Sequence, residues 1–226
     1  EIVSRDWSSD VCSSDLAAQA LGGIPVPLYQ DSVAEEMVYV LENADVKYAI
    51  VQNQEQTDKL LEIKDRLPNL KHICYEEPRG MRDYTQDFIH YYKDIQMTGR
   101  DYHNENPDYF LQEIGKGQGS DISIFLYTSG TTGKPKGVVL TSDNLIITAR
   151  NSIEFDNLTS EEEVLAYLPM AWVGDNIFSL AQAYVIGFCV NCPENPETVM
   201  TDLKEIGPTY YRSEERRVGK ECRSRW

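Results

Sequence analysis

Between residues 127 and 141 the chain reads Tyr127-Thr-Ser-Gly-Thr-Thr-Gly-Lys-Pro-Lys-Gly-Val-Val-Leu-Thr141, with three glycines, five Ser or Thr hydroxyls and two lysines set between apolar runs. Gly130, Gly133 and Gly137 allow sharp turns and bring backbone N–H groups against an anion, while hydroxyls and ammonium groups add donors and charge. This is a composition for wrapping phosphates. It is not a Walker A loop, because Thr128 stands where the first glycine should be and Pro135 follows Lys134. A protein-kinase loop is excluded too, since no VAIK, HRD or DFG element follows. Upstream, Gly115-Lys-Gly117-Gln-Gly119 misses a dinucleotide fingerprint because Ser120 takes its last position, and a turn before a strand accounts for it.

The elements around this segment follow from periodicity. Ile122–Tyr127 is predicted as a strand and Gly137–Leu140 has β character again, so the segment joins two strands, followed by a helix from about Asp143 to Glu154. Earlier, Gly23–Tyr29 is predicted as a short strand, and Ser32-Val-Ala-Glu35 has the capping-box pattern of a helix that buries Val33, Met37, Val38 and Leu41. Tyr48–Val51 and His72–Tyr75 read as strands around a helix from Thr57 to Leu67, stopped by Pro68. Such alternation is βαβ, hence an α/β fold with a parallel sheet covered by helices. Residues 76–119 form a polar, tyrosine-rich, insertion-like stretch with one or two short helices. Beyond the segment, Thr159–Glu162 caps a turn, Val164–Leu168 is a buried strand, Asn176–Val185 and Thr198–Ile206 are helical, and Pro208–Tyr211 begins a strand.

The 226 residues carry a net charge of -16, which gives no electrostatic case for nucleic acid. Both ends look foreign. Residues 1–16, with Asp6-Trp-Ser-Ser-Asp-Val-Cys-Ser-Ser-Asp-Leu16, and residues 212–226 resemble translated sequencing-library adapters. A disordered Ser/Asp arm and a basic nucleic-acid or membrane tail are the alternative readings of these runs. The two runs carry seven acidic and seven basic residues, so residues 17–211 keep the whole net charge. Within them Cys74, Cys189 and Cys192 lack the spacing of a disulfide framework, and Cys189-Val-Asn-Cys192 lacks a second CxxC or a His pair, so all three are expected in the core, with no metal ligands among them. A cytosolic compartment is the default, and no apolar run approaches the roughly 18–20 residues of a membrane span.

The run from Thr128 to Thr141 closely resembles the phosphate loop of the adenylate-forming, AMP-binding superfamily, which includes acyl-CoA synthetases, luciferases and peptide-synthetase adenylation domains. The resemblance covers residues 17–211, a partial AMP-binding N-terminal domain of layered parallel-sheet architecture. Pro25-Val-Pro-Leu-Tyr29 with Ala34-Glu-Glu36 and Tyr39-Val-Leu41 is similar to the family's first substrate-domain βα unit. Thr141-Ser142-Asp-Asn-Leu145 stands where the family has Thr-His-x-Asn-Leu, so the histidine's role does not carry over, while Ser142 suits an N-cap. Ala166-Tyr-Leu-Pro-Met-Ala-Trp172 resembles the Leu-Pro-x-x-His motif, with Trp172 at the acyl-pocket position; ordinary core packing is the other reading of that indole. With Gly174-Asp-Asn-Ile-Phe-Ser179, this version is most similar to bacterial long-chain fatty-acid ligases.

The resemblance implies an ATP-dependent ligase that activates a carboxylic acid as acyl-adenylate and passes it to coenzyme A, with Mg2+ bridging phosphates. It further implies that Thr128, Ser129, Gly130, Thr131, Thr132, Gly133, Lys134, Lys136 and Gly137 hold the ATP phosphates, Lys136 being the one expected in direct contact. The expected protein is cytosolic or membrane-peripheral, through its lipid substrate. The family's magnesium-binding Glu element, ribose-binding Asp motif, hinge and catalytic Lys have no counterpart in these residues, so the chain alone is expected to be inactive. Two other functions stay open: an adenylation domain loading an amino or aryl acid onto a carrier protein, and an ATP- or acyl-binding module without catalysis.

Overall fold

Met37, Leu41, Leu60, Ile73 and Val26 are among the fully buried side chains, and all lie in the βαβ region that periodicity identifies. The structure is a computed structural model that describes residues 2–3, 9–128 and 135–211. Its residues divide into two compact units, Glu1–Leu145 with Pro169–Val173, and Ile146–Leu168 with Gly174–Trp226.

In the first unit, β1 (Ile2–Val3) precedes α1 (Ser9–Ala20), which runs through the boundary between residues 16 and 17. Then follow α2 (Ala34–Asn43), β2 (Tyr48–Val51), α3 (Gln54–Ile63), β3 (His72–Tyr75) and β4 (Ile89–Tyr91). The sheet order is β1-β2-β3-β4, all parallel, with Ala49 opposite Ile73 and Ile73 opposite Ile89. Ala49, Val51 and Ile73 pack with Met37, Val38 and Leu41 of α2 and Leu60 and Ile63 of α3 into one core. Burying such aliphatic side chains contributes roughly 1.5–3 kcal/mol each.

Local chemistry moves several boundaries. The expected capping box of α2 does not form: Val33 takes the N-cap position without a side-chain bond and is 54% exposed, so it leaves the buried face that Met37, Val38 and Leu41 do share. The Asn53 side chain accepts from Gln56 N, which starts α3 three residues before the expected Thr57. Near residues 23–29 only a bridge at Pro25 appears, its carbonyl accepting from Phe125 N at 3.0 Å. The tyrosine-rich stretch, expected to hold one or two short helices, carries α4 (Tyr92–Glu105) and α5 (Tyr109–Ile114), and contributes the unexpected strand β4 to the sheet edge.

β5 (Ile122–Thr128) and β6 (Lys136–Thr141) pair antiparallel as a two-stranded sheet. Ile124 and Leu126 of β5 are buried, while Phe125 and Tyr127 pack from its other face against the α2–α3 core. β6 is exposed from Lys136 to Val139. α6 (Ser142–Asp156) follows without a break. Its cap is Thr141, not the expected Ser142: Thr141 Oγ1 accepts from Asn144 N at 3.2 Å, and Asn144 Oδ1 accepts from Thr141 N at 3.0 Å. Such a reciprocal pair satisfies two backbone donors at once.

The second unit holds β7 (Glu163–Leu165) parallel to β8 (Cys189–Asn191), with α8 (Gln182–Ile186) and α9 (Val199–Ile206). A short helical turn, α7 (Val173–Asp175), leads into a π-helical stretch, Asn176–Ala181. Pro208–Tyr211 forms a single bridge, Val164 to Tyr210, where a strand was expected. Thr159 and Glu162 do close a turn, and the Glu162 carboxylate also accepts from the Thr209 hydroxyl at 2.6 Å. Cys189 and Cys192 are exposed, and only Cys74 meets the expectation of a core cysteine. Neither Cys189 in β8 nor Cys192 just after it belongs to the buried cluster that Ile73 of β3 joins.

Candidate phosphate site

The register of β5 and β6 places Thr128 opposite Lys136 and Tyr127 opposite Gly137, so the segment between the strands springs from a defined two-residue base. Thr128, Lys136 and Gly137 are exposed, which leaves a hydroxyl and an ammonium group facing solvent at the hairpin's end. Ser129, Gly130, Thr131, Thr132, Gly133 and Lys134 lie outside the described residues.

Gly137 has a packing reason to be glycine. A Cβ there would collide with the Phe125 ring two positions along the neighbouring strand's register, so only a residue without one lets the ring approach this closely. Phe125 in turn packs against Tyr127 with ring centroids 5.0 Å apart. Tyr127 Oη donates to Asn43 Oδ1 at 2.7 Å, at the end of α2.

The N-terminus of α6 does not offer a second anion site. Ser142 N donates to Asp121 O at 3.0 Å, Asp143 N to Gly119 O at 2.8 Å and Asn144 N to Thr141 Oγ1. Those amides are engaged, which separates this arrangement from loops that hand phosphate to a helix start. A cavity of about 940 Å3 is lined by residues from Leu16 to Ile24, by Glu113–Ser123 and by Ser142. It opens at the Ile122 end of β5, roughly 20 Å along the strand from Thr128 at 3.3 Å per residue. The cavity is therefore distinct from the hairpin end.

Trp172 is half-buried in a turn whose backbone N donates to Pro169 O at 2.8 Å, within the same unit as the hairpin. Among the described residues no group of three or more His, Cys, Asp or Glu side chains could hold a metal ion. Mg2+ takes oxygen donors, keeps several waters and shares substrate phosphates. The described residues supply no such oxygen cage; the exposed Thr128 hydroxyl is an oxygen donor at the hairpin's end. Among them no helix is long and apolar enough to cross a membrane.

The side chains that seat the hairpin were missed by motif reading. Asn43 lies 84 positions from Tyr127, and nothing local marks it. Gly137 was found for its backbone freedom, whereas its contact with Phe125 needs the strand register.

The profile of the AMP-binding enzyme family matches residues 5–213. A long-chain-fatty-acid–CoA ligase, ACSBG2 of Xenopus laevis, is 31% identical over 173 residues, covering 74% of this chain and 22% of that protein. The ACSBG2 ligase of Rattus norvegicus is 29% identical over 205 residues, covering 87% and 30%. The chain thus spans less than a third of these relatives. Among solved structures, the anthranilate CoA ligase AuaEII in complex with anthranoyl-AMP superposes with a TM-score of 0.70 at 21% identity, over 92% of this chain and 39% of that one. ATP-bound MatB from Rhodopseudomonas palustris gives 0.63 at 17%, over 91% and 37%. At such identities the likeness is one of fold.

Proposed function

This chain belongs to the AMP-binding enzyme family, and on that premise we propose that it is part of a ligase that activates a carboxylic acid with ATP and transfers the acyl group to coenzyme A. The observation that carries the reading is the base of the hairpin, where Thr128 and Lys136 face one another at the ends of β5 and β6. A long-chain fatty acid is the proposed acid, supported by the named relatives and by Trp172 at the acyl-pocket position of the motif.

In the first step a carboxylate oxygen attacks the α-phosphorus of ATP, the bond to the β-phosphate oxygen breaks, and pyrophosphate leaves. In the second, the coenzyme A sulfur attacks the acyl carbonyl and AMP departs, the thiol proton passing to solvent. Thr128 and Lys136, with the glycine-rich amides between them, hold the β- and γ-phosphates and offset charge that gathers on the leaving pyrophosphate. Lys136 makes the direct contact, because Pro135 fixes the backbone before it. Holding two anions in line against their repulsion supplies much of the rate. Mg2+, bound through the phosphates, would add charge neutralisation. The indole of Trp172 walls the acyl channel.

Carboxylate-dependent exchange of pyrophosphate into ATP, measured on a longer protein that contains this chain, tests the reading. Exchange with long-chain fatty acids and its loss by at least about 100-fold in Lys136→Ala are expected, on the scale of removing one transition-state charge contact. Exchange with amino or aryl acids alone would overturn the substrate, and full activity of Lys136→Ala would overturn the site. The 226-residue chain by itself is proposed to give no acyl-adenylate, and formation of acyl-CoA by it would refute that.

A further inference from the structure

His72 and His90 take no part in the proposed reaction, yet their rings meet on one face of the parallel sheet. His90 of β4 stands opposite Cys74, two residues along β3 from His72, so both imidazoles rise from the same side. His72 Nδ1 and His90 Nε2 are 2.8 Å apart. Tyr48 lies opposite His72 on β2 and stacks on its ring, with centroids 5.4 Å apart and planes 13° apart, which holds that imidazole in its plane. Both histidines are half-buried and Tyr48 is exposed, so the pair is open to solvent.

That spacing suits a shared proton, and it equally suits a metal ion. An ion about 2.0–2.1 Å from each of two imidazole nitrogens spans them by about 2.8–3.0 Å where its bonds meet at a right angle, and by about 3.3–3.4 Å in a tetrahedral shell. The observed distance is therefore that of neighbouring ligands in a square or octahedral shell, the preference of Cu2+ and Ni2+. Among the described residues no third His, Cys, Asp or Glu side chain completes a cluster, so water fills the other positions. A net charge of -16 draws cations to the molecule.

We propose that His72 and His90 form a two-imidazole site for a divalent late transition metal, Cu2+ or Ni2+ by class, that fastens the edge strand β4 to β3. A neutral imidazole has one N–H and one bare nitrogen, so one of the two facing nitrogens carries the shared proton. On binding, that proton passes to the outer nitrogen of the same ring. Both facing nitrogens are then bare, with no net proton released, and rotation about the soft χ2 torsions turns their lone pairs toward an ion beside the line between them. β4 is three residues long at the sheet edge, so a bond at His90 constrains a third of the strand.

The chain has three histidines, and the third is His103 on α4. The test is titration of Ni2+ into the metal-free 226-residue chain at neutral pH, with accessible thiols alkylated. The unsubstituted protein, His72→Gln, His90→Gln and His103→Gln are compared, each with a thermal melt and amide exchange with and without metal. One ion per chain is expected in the unsubstituted protein and in His103→Gln. Either change within the pair should weaken binding about 100-fold, because it turns two-point attachment into one. Bound Ni2+ should raise the melting temperature and slow exchange at Ile89–Tyr91. A purely structural contact between the rings would lower the metal-free melts of the pair variants and leave every protein without a metal response, which overturns the proposal. Binding that survives His72→Gln or His90→Gln overturns it too, and binding without protection of β4 overturns the fastening. If a pair variant fails to melt cooperatively, pulsed electron spin resonance of Cu2+-loaded His103→Gln decides: two coordinated imidazoles are expected, and one or none refutes the site.

Discussion

Helices α2 and α3 and helix α4 are similarly amphipathic in sequence, yet they end in opposite environments. α2 buries five residues and α3 buries four, whereas neither α4 nor α5 has a buried residue. The exposed set in that stretch includes Met97 at 60% and Leu111 at 69%. Amphipathicity states that a helix has an apolar face, and topology decides what the face meets. α3 is the crossover between parallel strands β2 and β3, so its face must return to the sheet. α4 leaves the edge strand β4, beyond which the sheet offers no further strand among the described residues.

Truncation on the buried side should produce the largest effect. Leu60→Ala, at a fully buried position, is expected to lower stability by about 2–5 kcal/mol in denaturant unfolding. A loss under about 1 kcal/mol would place α3 with α4. Alkaline pH probes the same core at intermediate size. Burial pushes the Cys74 thiol on β3 up to about 11 from 9.0. The folded state thus favours the protonated thiol, and the contribution is complete below pH 9 and lost as pH rises through about 11. The loss should not exceed about 3 kcal/mol and should vanish in Cys74→Ala. The smallest change belongs to the exposed side: Leu111→Ser should shift stability by no more than about 0.5 kcal/mol. A larger cost there would mean that α5 packs as tightly as α3.

The same contrast governs what the sequence made legible. β2, β3 and the helix between them were found because tertiary burial enforces their periodicity. β4 was missed, since three residues, Ile89–Tyr91, set among tyrosines carry no period to detect. The glycine-rich segment stood out by composition, and the strands at its base by their apolar runs. Their antiparallel register and the contacts of Gly137 with Phe125 and of Tyr127 with Asn43 are properties of pairing in space. The caps were not legible: Thr141 and Asn144 close the start of α6 reciprocally where Ser142 was expected, and the Ser32 pattern matched a cap that the chain does not use.

The exposure of β6 has a consequence for handling the protein. Among the described residues β6 pairs only with β5, and Val138 and Val139 are 37% and 48% exposed. An apolar strand with one free backbone edge is a template for strand addition from another molecule. Lys136 at its start is the charge that opposes such stacking. Self-association of concentrated samples would therefore begin beside the glycine-rich segment, and an anion paired with Lys136 would weaken the repulsion it supplies.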